Sequence, residues 1–345
     1  MAVSFAQVGA MSVVTGSGKL APVSAIPVVV ISDGSVPVSP DAAQLIVDVT
    51  ANATFPRADV QPIPIVYATG TPPIAPTDPI PVFVVGGGFP NAGNTGPAAG
   101  TVFTVSTGNF NTSSDGQIVE NRQVDNGQII IRHPNVTVRN CIVNSQDSSA
   151  ISTVGAALSG CLIERCRLTG IGGANGISPD FATNIEIRFC DISGYTNGIV
   201  IGDTGMNIHD NYIHGLFSIT GPGAHVDGIQ GSGGFTSLII RNNTIVSWDT
   251  SCIIMQTEGA GFSGLVIDGN RLLFDAAHAG SELAYGILCQ SINANVAQNI
   301  TITNNRIQKS QPAQNYIFIH NLTNPVTISG NVDDTTGAPV TADVG

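Results

Sequence analysis

Lysine is almost missing from this chain: Lys19 and Lys309 are the only two in 345 residues. Basic residues number 12 against 24 acidic ones, and the formal net charge is −12. A nucleic-acid surface needs a basic stripe, so no nucleic-acid partner is expected. Charged residues make up only 10%, against roughly a quarter in an average soluble domain. The six cysteines (141, 161, 166, 190, 252, 289) form no CxxC pair, and no Cys/His cluster has metal spacing. No metal and no cofactor is therefore expected, and the thiols read as free. The longest apolar run, 25–31, contains a proline. It is far short of the roughly 20 residues a membrane helix needs, so no insertion is expected. The N-terminus, MAVSFAQVGAMSVVTGSGK, lacks the basic start and long apolar stretch of a secretory signal. Aromatics are sparse, at 6%, with a single tryptophan.

What is abundant is glycine (40) and proline (20), beside 42% apolar residues. That balance favours many short strands and turns over helices. A repeat explains it. LIIRNNTI (238–245) reads apolar-x-apolar-x-x-Asn-x-apolar, and the frame returns in VTVRNCIV, CLIERCRL, IEIRFCDI, MNIHDNYI, LVIDGNRL, ITITNNRI and, less completely, VTISGNVD. Its sixth position is Cys141, Cys166, Cys190, Asn211, Asn243, Asn270, Asn305 and Asn331, at spacings of 21 to 35 residues. Fixed strands joined by variable turns suit a solenoid. Each period holds a second centre (Ile151, Ile177, Ile199, Ile229, Ile253, Ile287, Ile317), four of them preceded by glycine. Each coil thus has at least two strands.

One coil cannot bury its apolar face, but coils stacked at about 4.8 Å can, and eight would span roughly 40 Å. The expected fold is all-β, a parallel β-helix over residues 101–333 with a short tail at 334–345. Asn at a turn tolerates the left-handed region, and stacked amides can bond one another inside a dry core. Cysteine is a small buriable substitute at three positions. The column two residues earlier (Arg139, Glu164, Arg188, His209, Arg241, Asp268) reads as a charge ladder on the outside.

Two turns are long. From the Asn column to the second-strand Ile takes 18 residues in one coil (Asn211 to Ile229) and 17 two coils on (Asn270 to Ile287), against 9–12 in five others. Such loops share one face and flank the coil between them, the usual place for binding. The candidate ligand-binding residues are Trp248, Asp249, Gln230, His278 and Tyr285. In HVDGIQ, Asp227 reads first as a turn cap accepting a backbone N–H. A second reading makes Asp227, His225 and Glu282 catalytic candidates, as acid and base.

These frames, with the lead-in GQIIIRHPNVTVRNCIV (127–143) and HVDGIQ, resemble the right-handed parallel β-helix proteins of the pectate-lyase-like superfamily. The resemblance covers roughly 110–333. A pectate-lyase-like site would need an Arg or Lys base with calcium-binding carboxylates, and a polygalacturonase-like site an adjacent Asp pair with Gly-His-Gly. The only Asp-Asp is Asp333-Asp334, and no Gly-His-Gly exists. Neither activity is expected, while a glycoside-hydrolase carboxylate pair stays open.

Residues 1–100 lack the frame. AIPVVV, PIPIVY and PIPVFVV set prolines inside apolar runs, which suits edge strands or extended arms. GGGFPNAGNTGPAAG (86–100) reads as a linker or a winding surface strand. An arm ahead of a β-helix resembles the layout of tailed-phage virion proteins. That resemblance implies attachment to other virion proteins through residues 1–100, a homotrimer, a place on the particle surface and binding of surface polysaccharide. The expected function is a spike or head decoration. The alternatives are a polysaccharide-degrading lyase or hydrolase, and a cell-surface adhesin.

Overall fold

The computed structural model describes residues 89–344 except 147, 156–157, 220–224, 276–284, 293–294, 310–315 and 322–325, together with Val13–Val14 and Leu20–Ala21. The chain divides into Met1–Gly88 and Phe89–Gly345. In the first unit, Val13–Val14 pairs antiparallel with Leu20–Ala21. The proline-punctuated phrases of that unit lie outside the described residues.

The second unit is a right-handed parallel β-helix. Its described residues include no helix, and its strands form three parallel sheets of ten, ten and nine strands. The chain visits the sheets in turn: Thr104–Thr107 opens sheet one, Phe110–Asn111 sheet two and Ile118–Glu120 sheet three. Nine such coils are complete. Val332–Asp333 and Ala342–Val344 then add a last strand to sheets one and two. The final strand falls within the stretch read as a tail.

One coil precedes the eight whose frame is legible. Its frame is QIVENRQV, with Arg122 where the others carry Asn or Cys. Val119 and Val124 keep the apolar beat and pair in register with Val138 and Val143.

Inward positions stack into columns. Ile129, Ile151, Ile177, Ile199, Ile229, Ile253, Ile287 and Ile317 pair one above the next through sheet two. All are fully buried. Burying such a side chain stabilises by about 1.5–3 kcal/mol, and this column is the spine of the core. The glycine before several of these isoleucines has a steric cause. A Cβ at Gly228 would lie 2.1 Å from Ile245 Cγ2 and 2.5 Å from the Cys252 carbonyl oxygen. Gly176, Gly198 and Gly286 meet Ile192, Ile213 and Ile307 in the same way. Sheet two bends against sheet one too closely for any larger residue there.

At the corner from sheet three to sheet one, Asn211, Asn243, Asn270 and Asn305 are fully buried and form a ladder. Each Oδ1 accepts the backbone N–H of the preceding coil's column residue, and each Nδ2 donates to the next Oδ1; Asn243, for example, accepts from Asn211 N at 3.0 Å and donates to Asn270 Oδ1 at 2.9 Å. The ladder continues to Asn331. The Nδ2 atoms also reach the carbonyl one coil back, such as Asn211 to Ile187 at 2.9 Å. Cys141, Cys166 and Cys190 aim their thiols at the equivalent carbonyls of Val119, Val138 and Ile163. All six cysteines are free and buried. The left-handed residue of this corner is not the ladder residue, as the sequence suggests, but the one before it: Asn121, Asn140, Arg165, Phe189, Asp210, Asn242, Gly269, Asn304 and Gly330 all have positive φ. The ladder side chain must point inward, so the sharp turn falls one position earlier.

Outside sheet three, Arg139 pairs with Glu120 at 2.7 Å and Arg188 with Glu164 at 2.8 Å. His209 lies between Glu186 and Asp210. Residues 89–101 run back along the coils. Phe89 lies 5.8 Å from the Arg271 guanidinium. Gly96 donates to the Phe189 carbonyl at 2.7 Å and packs against Asp191 and Arg167. This strap ends at Thr104, where the first coil begins.

Candidate functional site

Both long turns join sheet one to sheet two. One lies between Tyr212–His214 and Asp227–Gly231, the other between Arg271–Phe274 and Tyr285–Gln290. His278 and Glu282 fall in the second, outside the described residues. Trp248 and Asp249 occupy the short turn of the coil between. The Trp248 indole donates to the Leu216 carbonyl at 2.6 Å, and its ring packs on the core, bracing the first long turn.

That turn builds a groove. Phe217 donates its N–H to the Tyr195 carbonyl, and Ile219 to that of Gly172 at 3.1 Å, so the chain lies as an added layer over the neighbouring coils. Gly172 has φ +85°, and a Cβ there would meet the Phe217 ring at 2.6 Å. Beside this layer is a cavity of about 400 Å³ lined by residues 172–175, Thr196, Asn197, Ser218, Ile219 and His225. Among the described lining residues none is a carboxylate. Ile219 is 61% exposed and His225 is exposed.

Asn175 and Asn197 belong to a second ladder, at the start of sheet two. Asn175, Asn197, Asp227 and Ser251 stand in register. Asn197 Nδ2 donates to Asn175 Oδ1 at 3.1 Å and to Gln230 Oε1 at 2.9 Å. Asn197 Oδ1 accepts the Asp227 N–H at 3.1 Å, and Asp227 Oδ1 accepts the Ser251 N–H at 3.0 Å. Asp227 thus caps its neighbour's backbone. It is fully buried, and its Oδ2 has no hydrogen-bond partner. Burial raises its carboxyl to about 8, against the Ser251 hydrogen bond, with nearby Asp249 adding to the rise. At neutral pH it is mainly a neutral acid held inside the wall.

Of the residues singled out in the sequence, the structure brings His225 to the groove and Gln230 and Asp227 to the ladder behind it. It does not bring Trp248, Asp249 or Tyr285 into the lining. Tyr285 stacks on Phe318 at 4.9 Å, and Phe318 on His320 at 5.7 Å, along the outside of sheet two. Sequence reasoning missed Asn175, Thr196, Asn197 and Ile219. The available signal was the repeated Asn-Gly-Ile, at 175–177 and 197–199. Its isoleucine and glycine point to the strand, and its asparagine lines the groove.

The lining is suited to holding a neutral polar ligand. Asn175 Nδ2 faces no protein acceptor among the described residues, and Thr196 Oγ1 has given its proton to the Gly172 carbonyl at 2.7 Å.

No family model matches the chain. No curated protein matches it either. Among solved structures it is similar to the Dettilon tailspike protein, at 14% identity and a TM-score of 0.42 over 70% of this chain. The match spans 61% of that tailspike's length. It is also similar to the surface protein and adhesin PfbA of Streptococcus pneumoniae, at 13% identity and a TM-score of 0.41, over 71% of this chain and 82% of that one.

Proposed function

We propose that this chain is a tailed-phage virion protein, a β-helix spike or head decoration. It is attached to other virion proteins through residues 1–100 and assembles as a homotrimer on the particle surface. It binds a host-surface glycan in the groove beside Asn175 and Asn197. The observation that carries the binding reading is the groove itself: amides, hydroxyls and an exposed isoleucine line it, and its described residues include no carboxylate. Ligand sites of this kind are concave, with a few placed polar groups on a rigid scaffold. The attachment reading is supported by the proline-punctuated apolar phrases before residue 86. Of the acid–base candidates of the degrading-enzyme alternative, Asp227 is fully buried.

The test is the copy number of this chain in purified particles, by quantitative peptide mass spectrometry against the major capsid protein. Many copies per particle mean a head decoration, and a few mean a spike. Absence from particles overturns the virion reading. Binding of the purified chain to host-surface polysaccharide tests the groove separately.

A further inference from the structure

The free groups in the groove form a set. Asn175 Nδ2 offers a donor. Thr196 Oγ1, its proton committed to Gly172, offers acceptor lone pairs. Ile219, 61% exposed in the turn beside Gly173, offers a methyl-sized apolar contact. His225 is exposed at the rim. The neighbouring Asn197 is already saturated, with both amide hydrogens and its oxygen engaged. No arginine, lysine, aspartate or glutamate is among the described lining residues.

One common glycan substituent presents the complement of that set. An acetamido group carries a carbonyl, an N–H and a methyl within one rigid plane. We propose that the groove selects an N-acetylated hexosamine, the acetamido carbonyl accepting from Asn175 Nδ2, its N–H donating to Thr196 Oγ1 and its methyl resting on Ile219. This inference rests on the glycan-binding reading and narrows it. A free amine would bring a charge with no carboxylate to meet it. A plain hydroxyl would leave Ile219 uncovered. A uronic acid would find no arginine or lysine among the described lining residues. The cavity of about 400 Å³ lies in the size range of small-ligand sites.

The experiment uses the full chain and defined sugars. Ligand-observed NMR titrations compare short oligosaccharides of N-acetylglucosamine, N-acetylgalactosamine and N-acetylmannosamine with their de-N-acetylated and plain hexose counterparts. At least one acetylated series is expected to bind, and its deacetylated counterpart to bind about tenfold or more weakly. Ile219→Ser, an exposed substitution outside the core, is expected to weaken the acetylated ligand by roughly tenfold and leave melting unchanged. Asn175→Ala should weaken it further. If plain hexoses bind as well as acetylated ones, or if Ile219→Ser has no effect, the acetamido assignment falls while glycan binding stands. If neither these sugars nor host polysaccharide binds, both readings fall.

Discussion

Asp227 Oδ1 accepts the backbone N–H of Ser251 at 3.0 Å, one coil onward, while the same carboxyl's Oδ2 is buried without a partner. The two coils are tied together by a group that is easier to keep neutral than charged.

A stability profile follows from that bond. In the unfolded chain an Asp ionises near 4, whereas burial holds the folded one neutral to about 8. Between those values the native state binds more protons than the unfolded state, so stability falls as pH rises, by up to about 5 kcal/mol in all. Below and above that window the term is flat. Asp227→Asn keeps an accepting oxygen and removes the slope. Urea midpoints for both proteins should diverge as pH rises from 4 to 8. Parallel profiles would mean that Asp227 is ionised in the fold.

The Asn ladder gives a second outcome. Asn243→Leu strands the buried Asn211 N–H, while Asn270 Oδ1 keeps the bond from the backbone N–H of residue 243. A stranded group of this kind costs about 1–3 kcal/mol. The urea midpoint should drop with an unchanged slope, and an unmoved midpoint would mean that the amides are satisfied some other way.

Two glycines separate crowding from strain. Gly228→Ala drives a Cβ into Ile245 and the Cys252 carbonyl, and overpacking of that kind costs about 1–3 kcal/mol or more. Gly269 has φ +65° with open space around it. Gly269→Ala therefore pays backbone strain alone, about 1–2 kcal/mol. Melting measurements should show the first variant losing more than the second, and equal losses would contradict the close approach of the two sheets.

The strap is held at its start by Arg271, whose guanidinium meets Phe89 and is anchored by Asp334 at 2.9 Å. Asp334 also receives Arg306 at 2.9 Å. Hydrogen bonds from both arginines hold the Asp334 carboxyl low, against the effect of burial. Arg271→Gln should speed amide exchange at Gly96 and its neighbours and lower global melting modestly, since it removes a cation–π contact worth about 0.5–1 kcal/mol together with its bonds to Asp334, which keeps Arg306. Unchanged exchange would show that the strap is held elsewhere.

The fold was legible because its columns are chemically monotonous. An isoleucine or an asparagine recurs wherever a coil must bury or satisfy the same point in space, and the eye needs only the spacing. The earliest coil escaped because Arg122 fills the ladder position at the open end, where no amide stack has to be continued below it. The third strand of each coil escaped because the eight-residue frame reads as one strand but holds two, such as Thr137–Arg139 and Ile142–Asn144, with the corner between them. The groove was half legible. Loop length located the right corner, and His225 belongs to it. Which side of the loop opens was not readable, because it depends on Phe217 settling over a glycine, Gly172, that is distant in sequence.

The strap runs against the direction of synthesis. Neighbouring coils touch residues only 18 to 35 positions away, so each can close soon after it is made. Phe89 waits for Arg271, 182 residues later. A ribosome must therefore complete seven coils, and begin the next, before the strap has anything to rest on at its start. Fastening of Phe89 is a late event in the life of the nascent chain, whereas the contacts of Gly96 with Phe189, Asp191 and Arg167 can form as soon as those coils exist.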